Sequence, residues 1–217
     1  MNEIYQSIEA IHDIRRAMTR VLEQNQLMRA ARQLVEQANV AGLAHMLQMH
    51  AGLNSHIPEL LAWAIDEKVS ASVEWLLQLP FCDEHNCALN SAVRANNVEV
   101  IAPLLAKSRP KTQRSQILID AVKLKRVEIV EQLAAHCNPK AQHSKALQLC
   151  YLNSVNAEDR ARMVEALYAL SSPEVALRRM GSCGMDQQAL KDKIQQETLR
   201  AAVRNETRNA SATRRKM

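Results

Sequence analysis

Apolar positions along this chain fall into blocks that repeat. Ala88-Leu89-Asn90-Ser91-Ala92-Val93 is followed by Asn97-Val98-Glu99-Val100-Ile101 and then Leu104-Leu105. Twenty-nine residues later stand Ile117-Leu118-Ile119-Asp120-Ala121-Val122, then Arg126-Val127-Glu128-Ile129-Val130 and Leu133. Twenty-eight residues earlier stand Leu60-Leu61-Ala62-Trp63-Ala64-Ile65, then Val73-Glu74-Trp75 and Leu76-Leu77. A fainter copy precedes these, with Leu34-Val35, Asn39-Val40 and Met46-Leu47. A fifth follows, with Leu147, Cys150-Tyr151 and, after about five inserted residues, Val164-Glu165-Ala166-Leu167. Pro80, Pro110 and Pro139 fall between copies. A proline inside a helix removes a hydrogen bond and clashes with the preceding turn, so these residues mark connections.

Each copy reads as two short helices. A small residue (Ala64, Ala92, Ala121) recurs in the first, where neighbouring helices approach closely. Apolar residues recur at helical spacing in the second: Val98, Ile101 and Leu105, or Val127, Val130 and Leu133. One such hairpin cannot bury its apolar face alone, whereas stacked hairpins bury it against one another. The pattern therefore predicts an all-α solenoid of about five repeats over 28–172. A closed bundle with accidental similarity is the competing arrangement, and the phase-locked match over three copies weighs against it.

The flanks differ. Residues 1–27 carry Ile4, Ile8, Ile11, Ile14, Met18, Val21 and Leu22 at helical spacing and predict an N-terminal capping helix. Arg15 and Arg16 interrupt a strict heptad seam, so a long coiled coil is not expected. A helix that dimerises or docks on a partner is the other reading. After Pro173, Gly181-Ser182-Cys183-Gly184 predicts a loop, and Asp186 an N-cap for a helix bearing Leu190, Ile194, Leu199 and Val203. Residues 173–204 then form a C-terminal helical cap and 205–217 a basic, frayed tail.

Composition supports an all-helical chain. Apolar residues make up 47% of the 217, aromatic residues only 3%, and there are four Gly where average usage of about 7% would give roughly 15. Strands and their turns draw on residues scarce here, while helix-formers abound. No run approaches the ~18 apolar residues of a membrane span, and the first residues lack a secretory signal pattern. Five scattered cysteines predict free thiols in a reducing, cytoplasmic compartment. The net charge of +5 is unevenly placed: residues 178–217 carry +6 and residues 1–177 carry −1. Any affinity for polyanions must then come from the C-terminal segment, ending in Arg214-Arg215-Lys216.

Asn96-Asn97-Val98-Glu99-Val100-Ile101 and Val127-Glu128-Ile129-Val130-Glu131-Gln132-Leu133 resemble the second helix of ankyrin repeats, and Ala134-Ala135-His136-Cys137-Asn138-Pro139 resembles the family's repeat-ending turn. The resemblance spans roughly 28–171. The family's Thr-Pro-Leu-His opening is missing from every copy, and the repeat is 28–29 residues rather than about 33. Fingers should thus be short, with a turn such as Asp83-Glu84-His85-Asn86 in their place, leaving the concave helical face for recognition. The resemblance implies a non-enzymatic adaptor or inhibitor that binds another protein, as a monomer. Bacterial effectors acting in host cytosol also use such modules.

Motifs for catalysis are missing. No Gly-rich phosphate loop, H-E-x-x-H or G-x-S-x-G occurs, so no cofactor is expected. Cys82-Asp83-Glu84-His85-Asn86-Cys87 has metal-like composition, but zinc sites usually join two such pairs and no second has matching spacing. His45, His50 and His56 share no helix face that would make a ligand set. In the ankyrin-like register, Trp63, Ser91 and Asp120 take equivalent positions on the concave face, with Asp66, Arg94 and Lys123 one turn on. Aromatic and Arg side chains are favoured anchors, so a protein-binding groove centred on Trp63 and Arg94 is the functional expectation. Trp63 as a core residue is the competing one. Nucleic-acid binding through the basic C-terminal segment is the alternative function, although aromatic stacking platforms are scarce.

Overall fold

A computed structural model describes residues 2–112, 115–152, 156–183 and 186–200, the side chains of 2–14 excepted. Every regular element among them is helical. None of these helices is long and apolar enough to cross a membrane. The chain divides into two units, Met1–Arg109 and Pro110–Met217.

In the first unit, α1 (Asn2–Glu36) is followed by α2 (Val40–Met49), a 3-10 turn (Ala51–His56), α3 (Ile57–Asp66), α4 (Ser70–Gln78), α5 (Cys87–Ala95) and α6 (Ile101–Leu105). Hairpins α1/α2, α3/α4 and α5/α6 each pack internally, and α3 packs between α1 and α5. Ala31, Ala64 and Ala92 are fully buried along these first helices, the small residues that close approach needs. Around them Leu43, Leu60, Leu61, Ile65, Leu76, Leu89, Ile101 and Leu104 are almost entirely out of solvent, each stabilising by about 2 kcal/mol relative to exposure.

The second unit repeats the scheme with α7 (Gln116–Lys123), α8 (Val127–Ala134), α9 (Ala141–Leu152), α10 (Ala157–Tyr168) and α11 (Pro173–Ser182). Here α9 packs against α7, α10 and α11, and α8 against α7 and α10. Ile129, Val130, Leu133, Leu147, Cys150, Met163, Leu167, Ala176 and Met180 form its core. A further helical stretch, 188–200, begins where the Asp186 carboxylate accepts the Gln188 N–H at 2.9 Å and buries Leu190.

One loop geometry recurs in the backbone. Ala38, Lys68, Asn96 and Lys125, each just past a first helix, all have φ between 53 and 59°. In all four loops the N–H of the next residue (Asn39, Val69, Asn97, Arg126) bonds the carbonyl five residues back (Leu34, Ala64, Ala92, Ala121), at 2.9–3.0 Å. The left-handed residue's own N–H bonds three residues back. This is a Schellman ending, normally a glycine position. The chain instead uses Ala once, Asn once and Lys twice, consistent with its having four Gly.

A second left-handed position opens the next copies: Asn86, Ser115 and Ser144, with φ of 55, 55 and 59° and 3% exposure or less. Each side chain reaches the residue before a downstream proline. Asn86 and Arg109 exchange two bonds at 3.1 Å. Ser115 Oγ accepts the Asn138 N–H at 2.8 Å, and Ser144 Oγ accepts the Ser172 N–H at 3.0 Å. The partner lies 23 residues on in the first two cases and 28 in the third; the difference is the insertion in the fifth copy. These latches hold the backbone that leads out of one hairpin to the start of it.

Three expectations change. Residues 1–27 are not separate from the first copy, because α1 runs unbroken through position 28. Its residues 15–26 are all exposed, including Met18, Val21 and Leu22, and burial starts at Met28. The helix expected from Val98 starts at Ile101, since Pro103 is tolerated only in a first turn. Gly181 and Ser182, expected in a loop, complete α11, which packs on α9.

Candidate functional site

In the first unit, α3 and α5 carry Trp63, Asp66, Ser91 and Arg94, and side chains link these helices to each other and to α1. Trp63 on α3 is half-buried. Its indole N–H donates to Glu36 Oε1 on α1 at 3.1 Å, and the Arg32 guanidinium lies 4.9 Å from its ring centroid. Both partners sit at the end of α1, one turn apart, so a single helix face presents the carboxylate and the cation to the same ring. Trp63 is thus neither a core side chain nor a free anchor: one edge and one face are already engaged.

Asp66, one turn beyond Trp63, links α3 to α5. Its Oδ2 accepts the Ser91 hydroxyl at 3.1 Å, and Arg94 NH2 lies 3.5 Å away. Arg94 also donates to Ser91 Oγ at 3.0 Å. Ser91 is 1% exposed, so it lies beneath the surface that Arg94 and Asp66 present. Exposed ion pairs of this sort are worth about 0–1 kcal/mol; the buried hydroxyl fixes the geometry more than the charges do.

Asp120 and Lys123 belong to the second unit. Lys123 Nζ lies 3.1 Å from Asp120 Oδ1, which also accepts from Gln116 Nε2 at 2.8 Å. Gln142 Nε2 on α9 donates to Gln116 Oε1 at 3.1 Å. Trp63 and Ser91 therefore each bond a neighbouring first helix, whereas Asp120 bonds within α7 and the link to α9 is made by Gln116. Arg32, Glu36, Gln116 and Gln142 complete those links and went unread in the sequence; Glu36 stands about one repeat before Trp63, which was the available signal. Arg214, Arg215 and Lys216 lie outside the described residues.

The cysteine-rich turn is an N-terminal cap for α5. Asp83, 1% exposed, accepts the N–H groups of Cys87, Ala88 and Leu89 at 2.6, 3.0 and 3.3 Å. Cys82, Glu84 and His85 face outward. Burial first, then the charges of Asp83 and Glu59, push the Cys87 thiol pKa up. Among the described residues no three His, Cys, Asp or Glu side chains converge as a metal site. Cys137 and Cys150 are buried in the second unit, and burial raises both thiols to about 12.

Cavities of the first unit include two that differ in character. An apolar one of about 380 Å3 lies among α2, the 3-10 turn and α4, with Leu47, Ile57, Trp75 and Pro80 in its walls. A polar one of about 520 Å3 lies between α1 and α3, reaching Arg32 on the far side of Trp63's ring contact. Compared with known proteins, the chain matches no family model, no curated protein and no solved structure.

Proposed function

We propose that this chain is a non-catalytic, ankyrin-like solenoid that holds another protein on the exposed edge of its first helices. The supporting observation is the recurrence of one loop geometry, at Ala38, Lys68, Asn96 and Lys125, with one latch geometry, at Asn86, Ser115 and Ser144. Repeating units of that kind build surfaces from equivalent positions, which carry Trp63, Asp66, Ser91 and Arg94 in the first unit and Asp120 and Lys123 in the second. The reading takes the protein to be an adaptor or inhibitor.

Arg94 offers the cleaner test. Its side chain is 65% exposed, so Arg94→Glu should leave the melting temperature within a few degrees while reducing partner capture from lysate, scored by mass spectrometry against wild type. Trp63→Ala should reduce the same captured set at some cost in stability, because the Glu36 and Arg32 contacts go with it. A captured set identical for wild type and both variants would remove this surface from the proposal.

A further inference from the structure

The cavity between α1 and α3 places two guanidinium groups on one helix face. Arg29 and Arg32 stand one turn apart on α1 and both line it. Among the described residues neither guanidinium has a hydrogen-bonded or ion-paired partner: Arg32 meets only the face of Trp63, and its buried Nε is unsatisfied. Buried polar groups are normally paired, and an exception calls for an explanation. Across the cavity, Gln24 Nε2 lies 2.7 Å from His56 Nε2, and His56 Nδ1 lies 3.3 Å from Glu59 Oε2. Glu59 is therefore occupied by His56, and it forms no ion pair with either arginine. Met28, 9% exposed, supplies an apolar wall.

We infer that this cavity binds the carboxylate of an acidic side chain on the protein partner, between Arg29 and Arg32, with a neighbouring apolar side chain against Met28. Two guanidinium forks on one helix face suit a carboxylate, which can accept from both. At about 520 Å3 the space exceeds one carboxyl group and takes a short segment. Glu59 and the exposed Glu36 flank the arginines. A nucleic-acid strand, charged at every phosphate, would bring repeated negative charge against them, whereas one carboxylate meets only the arginines. This inference rests on the partner being a protein, and it adds what that protein must present beside Trp63.

The test is a titration of the full chain, 15N-labelled at arginine, with the blocked tetrapeptide acetyl-Leu-Glu-Glu-Leu-amide at low ionic strength, followed at the Arg Nε–H resonances. The Arg29 and Arg32 signals should shift saturably. Acetyl-Leu-Gln-Gln-Leu-amide should bind about fivefold more weakly, the size of a good exposed ion pair. Arg29→Gln should weaken the Glu peptide by about the same factor and leave the Gln peptide and the melting temperature unchanged. Equal affinities for the two peptides, or an Arg29→Gln variant that still prefers Glu, would overturn the assignment. So would tighter binding at Arg29 of inorganic phosphate or of an oligothymidylate, which would give the cavity to phosphate. Peptide binding lost in Trp63→Ala but unchanged in Arg29→Gln removes this cavity and keeps the surface proposed above. Glu-selective binding at Arg29, with partner capture indifferent to Trp63 and Arg94, does the reverse.

Discussion

Ser115→Ala probes the latch directly. The hydroxyl is fully buried and its oxygen accepts the Asn138 N–H at 2.8 Å. Removing it leaves that N–H without its partner, at about 1–3 kcal/mol for a buried group. Asn138 itself is exposed, so water can recover part of the loss, and the lower half of the range applies: about 1.5 kcal/mol. At roughly 4–8 °C per kcal/mol for a unit of this size, the melting temperature should fall by about 6–12 °C. Ser115→Gly loses the same bond but removes the Cβ from a residue held at φ 55°, where the left-handed conformation costs an L-residue about 1 kcal/mol. Gly should therefore be less damaging than Ala, although it offers no hydrogen bond at all. Far-UV circular dichroism on heating and in urea measures both variants. An Ala variant that melts with wild type, or a Gly variant less stable than the Ala one, would refute the latch or the strain respectively.

Further outcomes follow from other buried groups. Asp83→Ala should destabilise by about 2 kcal/mol in urea unfolding, because three N–H groups at the start of α5 lose a charged acceptor; Asp83→Asn should cost less. Thiol labelling of the native protein should be fast at the exposed Cys82 and Cys183 and should reach the buried Cys137 and Cys150 only on unfolding. Those two thiols have folded pKa values of about 12 against an ordinary 9.0. The folded state thus keeps protons that the unfolded state releases above pH 9, so their contribution to stability is full below pH 9 and is lost between pH 9 and 12. Cys137→Ala with Cys150→Ala should flatten that alkaline decline, and an unaltered decline would count against it.

The helices were legible because periodicity and punctuation agreed. Val127, Val130 and Leu133 lie on one buried stripe of α8, and Pro80, Pro110 and Pro139 stand where connections run. Pro103 shows the limit: the apolar spacing from Val98 was that of a helix, but the missing N–H delays α6 to Ile101. The C-terminal misreading has the opposite cause. Gly181 usually signals a break, yet Met180 and Ala176 are buried against the body, and that packing holds α11 through Ser182.

The links between helices were harder to read for a reason that bears on the site. Apolar packing leaves a period in the sequence because every copy needs the same shape. A polar link needs only some donor and some acceptor, so its residue types drift: the latch is Asn86 in one copy and Ser in the next two, while the position of Trp63 becomes Ser91 and then Asp120. Each substitution keeps a hydrogen bond while the residue type changes. Composition therefore hides the positions that register exposes. Arg32 lies off that register, and its buried Nε, without a bond among the described residues, is the atom the proposed carboxylate would meet.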